Sequence, residues 1–196
     1  MGGGIDLIVT DPPYGVNFEN NEWDKKILDI EWLDLARSIS KRVFLTPGNG
    51  NQGAYPPPDW TLCWARPGSV QRVRKGTGFS HWEPILVYGD NPMPVDYLVF
   101  NANTNSQGID HPCPKPLPVM KWLVESGDLN GLVLDPFLGS GTTLVACKEL
   151  NRNGIGIEIN EKYCAIAKKR LQNTTKSLFT ETLVEPKQLE LNQNGW

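Results

Sequence analysis

Short runs of apolar, β-branched residues recur along the chain, most of them stopping at a glycine, proline or aspartate, with helical patterns between several of them. Joining such runs through helices builds a parallel sheet flanked by helices, so the predicted class is α/β. The expected strands are residues 5–10, 42–46, 60–64, 85–88, 132–134 and 155–159. In an open sheet of this kind, ligands gather at the carboxyl ends of the strands. Leu28, Trp32, Leu35 and Ile39 share helical spacing within residues 24–40, and Val119, Met120, Trp122 and Leu123 do so within 116–125, behind a proline. A third helix follows Gly141. Asn160 caps a fourth, with Glu161 in its first turn and Lys168, Lys169 and Arg170 in its last, which suits the helix dipole at both ends.

Residues 132–143 read Leu-Val-Leu-Asp-Pro-Phe-Leu-Gly-Ser-Gly-Thr-Thr: a strand, a tight glycine turn and the start of a helix. Gly139 and Gly141 let a ligand approach bare backbone. The first amides of the next helix, with the hydroxyls of Ser140 and Thr142, can hold a carboxylate. The following strand delivers an acid, Glu158, 17 residues after Gly141, where ribose hydroxyls need an acceptor. The set fits a nucleoside that carries a carboxylate, although a G-x-G turn on its own is more plainly read as close packing of helix on strand. The third glycine of the dinucleotide fingerprint is missing around Thr142, Thr143 and Leu144, which disfavours a dehydrogenase.

The strand at residues 5–10 runs into Asp11-Pro12-Pro13-Tyr14. Two prolines fix φ and remove two amide donors, so a stiff turn presents carbonyls beside a carboxylate and an aromatic face. Such a set suits an exocyclic amine, a poor nucleophile because its lone pair is delocalised into the ring. Two acceptors holding its hydrogens, the Asp11 carboxylate and the Pro12 carbonyl, favour a pyramidal and more nucleophilic nitrogen. Tyr14 can stack on a base swung out of a duplex, contributing on the order of 1–3 kcal/mol against a flipping cost of a few. The alternative is a rigid strand-end turn in which Asp11 caps and Tyr14 packs.

A chain of 196 residues, 39% hydrophobic and 21% charged, suits one globular domain. It divides into a catalytic half at 5–100, a cofactor half at 111–171 and a polar tail at 172–196. The net charge of -3 gives no global attraction to a polyanion, so nucleic-acid contact requires a local basic surface. Residues 60–82 hold no acid, and there Arg66, Arg72, Arg74 and Lys75 are interleaved with glycines and small polar residues. Standing over the catalytic edge between two strands, this loop, about 66–83, can meet phosphates and reach guanine. A solvated loop is the plainer reading of any single arginine. Residues 15–26, with Asn17, Asn20, Asn21 and Trp23, are a second candidate loop. Four cysteines without a C-x-x-C pair and only two histidines make a poor zinc site, so no metal is expected and the thiols are read as reduced. Without a membrane span or signal peptide, the expectation is a soluble, cytoplasmic protein.

Taken together, these residues resemble the DNA amino-methyltransferases that carry D-P-P-Y and D-P-F-x-G-S-G-T motifs. Asp11–Tyr14 precedes Asp135–Thr142, the order of the β class, whose methyltransferase fold is circularly permuted. Residues 111–116, His-Pro-Cys-Pro-Lys-Pro, are similar to that family's H-P-T-x-K-P element, with Cys113 where threonine is usual. Relatives carry a further strand with a Gly-Asp turn ahead of the D-P-P-Y strand, which residues 1–4 do not supply. The resemblance implies a Rossmann-like sheet of seven strands, one antiparallel, with S-adenosylmethionine as cofactor and S-adenosylhomocysteine as product. It implies Asp11, Pro12, Pro13 and Tyr14 as catalytic residues. It assigns Asp135, Pro136, Phe137, Gly139, Ser140, Gly141, Thr142 and Glu158, with His111 and Lys115, to the cofactor. Double-stranded DNA is the implied partner and N6 of adenine the implied target. Methylation of cytosine N4 is the alternative, and a non-catalytic or shortened remnant that binds DNA or a partner is the reading from another class. Oligomeric state does not follow from local chemistry; a homodimer is one option.

Overall fold

The run Ile5-Asp6-Leu7-Ile8-Val9-Thr10 is a strand over its whole predicted length and lies inside the sheet. The computed structural model describes residues 4–15, 30–69, 78–101 and 114–175. Within them, one sheet contains β1 (Ile5–Thr10), β2 (Ser40–Leu45), β3 (Trp60–Ala65), β4 (Trp82–Gly89), β5 (Tyr97–Val99), β6 (Leu132–Asp135) and β7 (Asn153–Gly156), in the order β5-β3-β4-β2-β1-β6-β7. Four helices accompany them: α1 (Glu31–Ile39), α2 (Leu117–Glu125), α3 (Thr142–Glu149) and α4 (Glu161–Asn173).

Alternate residues of β1 face opposite sides, and both sides are apolar because helices cover both. Leu7 and Val9 join Phe44, Leu62, Trp64, Ile85, Val87 and Val133 in one core layer, closed by Val119, Met120, Leu123 and Val124 of α2 and Ala146 and Cys147 of α3. Ile8 points the other way, to Val43, Leu45, Leu86, Tyr88 and Leu134, beneath Leu33 and Ala36 of α1. The strands β1, β2, β6 and β7 pair in parallel, whereas β4 runs antiparallel to both β2 and β3. The carboxyl ends of β1, β2, β3 and β6 therefore share one edge with the amino end of β4. The chain leaves β1 through α1 towards β2 and leaves β6 through α3 towards β7, so the connections diverge between β1 and β6. That divergence opens a crevice at the strand ends.

β4 is longer than expected, running from Trp82 to Gly89, and three further differences have a visible reason. Ser40, expected to end a helix, opens β2, and its hydroxyl donates to the Ala36 carbonyl at 2.8 Å, so helix passes into strand without a loop. The strand expected at 155–159 lies at Asn153–Gly156, because β6 ends at Asp135 and the ladder ends opposite it. A Cβ on Gly154 or Gly156 would meet Leu144 at 2.7 Å or Leu138 at 2.6 Å, so glycines set this register and leave Ile155, Ile157 and Ile159 exposed at 49%, 56% and 87%. The three-residue β5, too short to announce itself by alternation, pairs with β3 at the sheet edge. Asn160 caps α4 as expected, its Oδ1 accepting from the amides of Lys162 and Tyr163. Among the described residues, no helix is long and apolar enough to cross a membrane.

β1 and β6 are also joined by side chains at the crevice end. The hydroxyl of Thr10 donates to Asp135 Oδ1 at 2.8 Å, and Thr143 of α3 donates to Oδ2 at 2.5 Å. Burial pushes the Asp135 carboxyl up to about 6, against the opposing pull of its Thr143, Thr10 and Phe137 donors. An acid raised in the folded state adds most stability below its unfolded pKa, and that contribution is lost as pH rises through the folded value. In paired denaturant melts, wild type should lose stability relative to Asp135→Asn between about pH 4 and pH 6, by on the order of 1–3 kcal/mol. A pH-independent difference between the two proteins contradicts the assignment.

Candidate active site

Two turns follow the neighbouring strand ends of β1 and β6, which the Thr10–Asp135 hydrogen bond joins. The first is the turn after β1. Asp11 Oδ1 accepts from the Thr46 hydroxyl at 2.5 Å and from the Tyr14 hydroxyl, while Oδ2 accepts from Lys115 Nζ at 2.7 Å. Lys115 Nζ also donates to the Tyr14 hydroxyl and lies 5.0 Å from the centre of its ring. Burial, followed by the Asp11 charge, pushes the Tyr14 phenol well above its ordinary value in spite of Lys115, so the phenol stays protonated and able to donate. The Pro12 carbonyl takes no hydrogen bond from the described residues.

The loop after β2 clamps this turn from beneath. The Thr46 amide donates to the Thr10 carbonyl at 3.1 Å, and Asn51 Nδ2 donates to the Tyr14 carbonyl at 3.1 Å. Gly48 has φ of +73°, and a Cβ there would lie 3.1–3.2 Å from the ring atoms of Tyr14. One ring face therefore rests on glycine backbone. Sequence reasoning missed Thr46, Gly48 and Asn51. Two signals pointed to them: a threonine directly after β2, as Thr10 ends β1, and the turn-forming Pro47-Gly48-Asn49-Gly50.

The second corner is the turn between β6 and α3. Gly139, at φ +54°, donates its amide to Glu158 Oε2 at 2.7 Å, and Asn160 donates its amide to Glu158 Oε1 at 2.8 Å. Two backbone amides thus orient this carboxylate, and each oxygen keeps a further lone pair. The Phe137 ring meets Trp32 of α1 edge-on, with centroids 5.1 Å apart, a contact that the helical spacing of Trp32 did not reveal.

Several expected site residues have partners within the scaffold. Asp135 is 2% exposed and accepts from Thr10, Thr143 and the Phe137 amide, so in this structure it joins the strands. The hydroxyls of Ser140 and Thr142, expected to cradle a carboxylate, both accept from Arg170 Nη1 at 3.0 Å, behind the turn on α4. Gly141, at φ +85°, would carry its Cβ to 2.8 Å from that of Ala167, so its lack of a side chain admits α4. The more open side of the turn is Pro136–Gly139, and behind it residues 140–143 are buried. Lys115, expected at the cofactor, contacts Asp11 and Tyr14.

The carboxyl end of β3 and the amino end of β4 lie on the same edge of the sheet as the carboxyl end of β1. Arg66 differs from the exposed cation expected to contact DNA. Its side chain is 9% exposed, its Nη1 is 2.8 Å from Glu83 Oε1, and its guanidinium lies 5.0 Å from the centre of the Trp64 ring. Its charge is neutralised within the root of the loop. Arg72, Arg74, Lys75, His111 and Cys113, with Asn17, Asn20, Asn21 and Trp23, lie outside the described residues. A cleft of about 680 Å³ beside Asp6, Lys41 and Asp128 lies at the opposite end of β1 and is separate from this site.

The fold is an open α/β sheet whose connections diverge between β1 and β6, the place where ligands of such sheets bind. A family model described as DNA methylase matches residues 69–169, and the chain belongs to that family, the N6/N4 amino-methyltransferases. It is 27% identical over 220 residues to the type II methyltransferase M.HpaI of Haemophilus parainfluenzae, an alignment covering 86% of this chain and 68% of that protein. A segment of 74 residues is 45% identical to the type II methyltransferase M.SmaI of Serratia marcescens, covering 37% of this chain and 25% of that protein. The crystal structure of the M1.HpyAVI–SAM complex superposes with a TM-score of 0.64 at 26% identity, over 86% of this chain and 89% of that one.

The contact between Gly48 and Tyr14 makes a direct prediction. Gly48→Ala should cost about 1–2 kcal/mol in backbone strain. Well below its melting temperature, it should also lower the methyl-transfer rate by on the order of 10²-fold, because the ring is displaced. A folded Gly48→Ala protein with the wild-type rate removes Gly48 from the site.

Proposed function

We propose that this chain transfers the methyl group of S-adenosylmethionine to the N6 amino group of an adenine flipped out of double-stranded DNA, leaving S-adenosylhomocysteine. The observation that carries this reading is the hydrogen bond from Thr10 to Asp135, which seats the acceptor-rich turn beside the glycine turn. The donor set fits the cofactor. The oriented Glu158 carboxylate suits a ribose diol, and Pro136, Phe137 and Gly139 offer an apolar ring and accessible backbone beside it. When bound, the cofactor supplies an electrophilic methyl group on a positively charged sulfur.

The chain's own residues prepare the nucleophile. Asp11 Oδ2 and the Pro12 carbonyl accept the two amino hydrogens, which returns the nitrogen lone pair from the ring to the attacking direction. Tyr14 flanks the flipped base, and the negative face of its ring favours the positive charge that the amine acquires. The extra proton then leaves for Asp11 or water. No general base is needed before attack. Arg72, Arg74 and Lys75 hold phosphates as the base swings out. Adenine is favoured because aspartate occupies position 11, where N4-cytosine enzymes of the resembling family more often carry serine. Cytosine N4 is the second reading, since the same acceptors serve its amine.

Incubation with tritiated cofactor and unmethylated DNA, followed by digestion to nucleosides and mass spectrometry, tests the proposal. The expected product is N6-methyladenine. N4-methylcytosine replaces the first reading with the second, and no labelled nucleoside leaves a binding remnant. Asp11→Ala should abolish transfer while cofactor binding persists, and retained methylation removes its catalytic role. Replacing Arg72, Arg74 and Lys75 together should weaken DNA binding and flatten its salt dependence, the slope falling by about one for each phosphate left without its cation. An unchanged slope returns that loop to an ordinary solvated role.

A further inference from the structure

Lys115 stands between Pro114 and Pro116, immediately ahead of α2, whose Val119, Met120, Leu123 and Val124 are locked into the core. Its side chain is 7% exposed and crosses 104 residues of sequence to reach Asp11. We infer that Lys115 is a positioning residue of the transfer step, acting through Asp11 and Tyr14, and not a ligand of the cofactor. The inference rests on reading Asp11 as the acceptor of the target amine.

Counting lone pairs shows what the ammonium does. An ionised carboxylate offers about four acceptor positions, two on each oxygen. On Oδ1, Thr46 and Tyr14 fill both. On Oδ2, Lys115 fills one. An amino hydrogen of a base therefore has one position left, and its direction is set by where Lys115 holds Oδ2. The same ammonium donates to the Tyr14 hydroxyl, whose ring is backed by Gly48. One charged group thus fixes both surfaces that meet the base, the acceptor and the stacking ring. Prolines on both sides of Lys115 and the buried helix behind it keep its own backbone from drifting.

Lys115→Met removes the charge and keeps the stem, while Lys115→Arg keeps the charge and replaces a single ammonium with a planar fork. Cofactor affinity is measured by calorimetry on the DNA-free protein, and chemistry by single-turnover methyl transfer on saturating DNA. The expectation is a rate about 10²-fold lower for Met and about tenfold lower for Arg, with the cofactor Kd within about twofold of wild type in both. A folded variant with the wild-type rate overturns the inference. So does a cofactor Kd raised about tenfold in either variant, which makes Lys115 a cofactor ligand. Should the Met variant fail to fold, the Arg variant decides by the same two readouts. Wild-type protein that labels no DNA defeats the proposed function instead, whereas active wild type with equally active variants defeats this inference alone.

Discussion

A carboxylate buried between two strands holds the two halves of the molecule in register. Asp135 ends β6, and its oxygens receive the hydroxyl of Thr10 from β1, the hydroxyl of Thr143 from α3 and the amide of Phe137 from the turn between. Taking a carboxylate out of water is unfavourable, and three donors recover only part of that loss, as the upward displacement of its pKa records. An apolar residue of similar volume would avoid the penalty but strand two buried hydroxyls and free the end of β1 from the end of β6. Asp135 is best understood as the element that sets the distance between the corners. Everything proposed for the site assumes that distance.

Each corner has a working side and a structural side. At the glycine turn, residues 136–139 stand towards the crevice, and Ser140, Gly141 and Thr142 are gripped from behind by Arg170 and Ala167 of α4. At the proline turn, the Pro12 carbonyl takes no hydrogen bond from the described residues, while Thr46, Asn51 and Gly48 secure the turn from the end of β2 and its loop. Preorganisation of this kind removes the need to order the groups when a substrate arrives.

Much of this was legible in the sequence where a local pattern coincides with a physical requirement. The buried strand Ile5–Thr10, the Asn160 cap and the two motif turns are such cases, because alternation, capping and glycine content act over a few residues. What could not be read depends on partners distant in the chain. Arg66 looks like a DNA contact in a basic stretch until Glu83 and Trp64 close around it. Lys115 belongs to a motif that leads towards the cofactor strand, yet its side chain turns to a carboxylate 104 residues away. The isoleucines at 155, 157 and 159 suggest a strand, but the room for one is dictated by Leu138 and Leu144 pressing on Gly156 and Gly154. A glycine in a motif does not declare which neighbour needs the space.

The buried pair of Arg66 and Glu83 has a consequence for how such a protein can diversify. It staples the exit of β3 to the entry of β4, with the Arg66 amide also bonded to the His81 carbonyl, so the hairpin is sealed at its base. Residues beyond that seal can be lengthened, shortened or exchanged without pulling on Trp64 or Ile85 in the core. Drift in that segment is thereby kept from reaching the strands behind it.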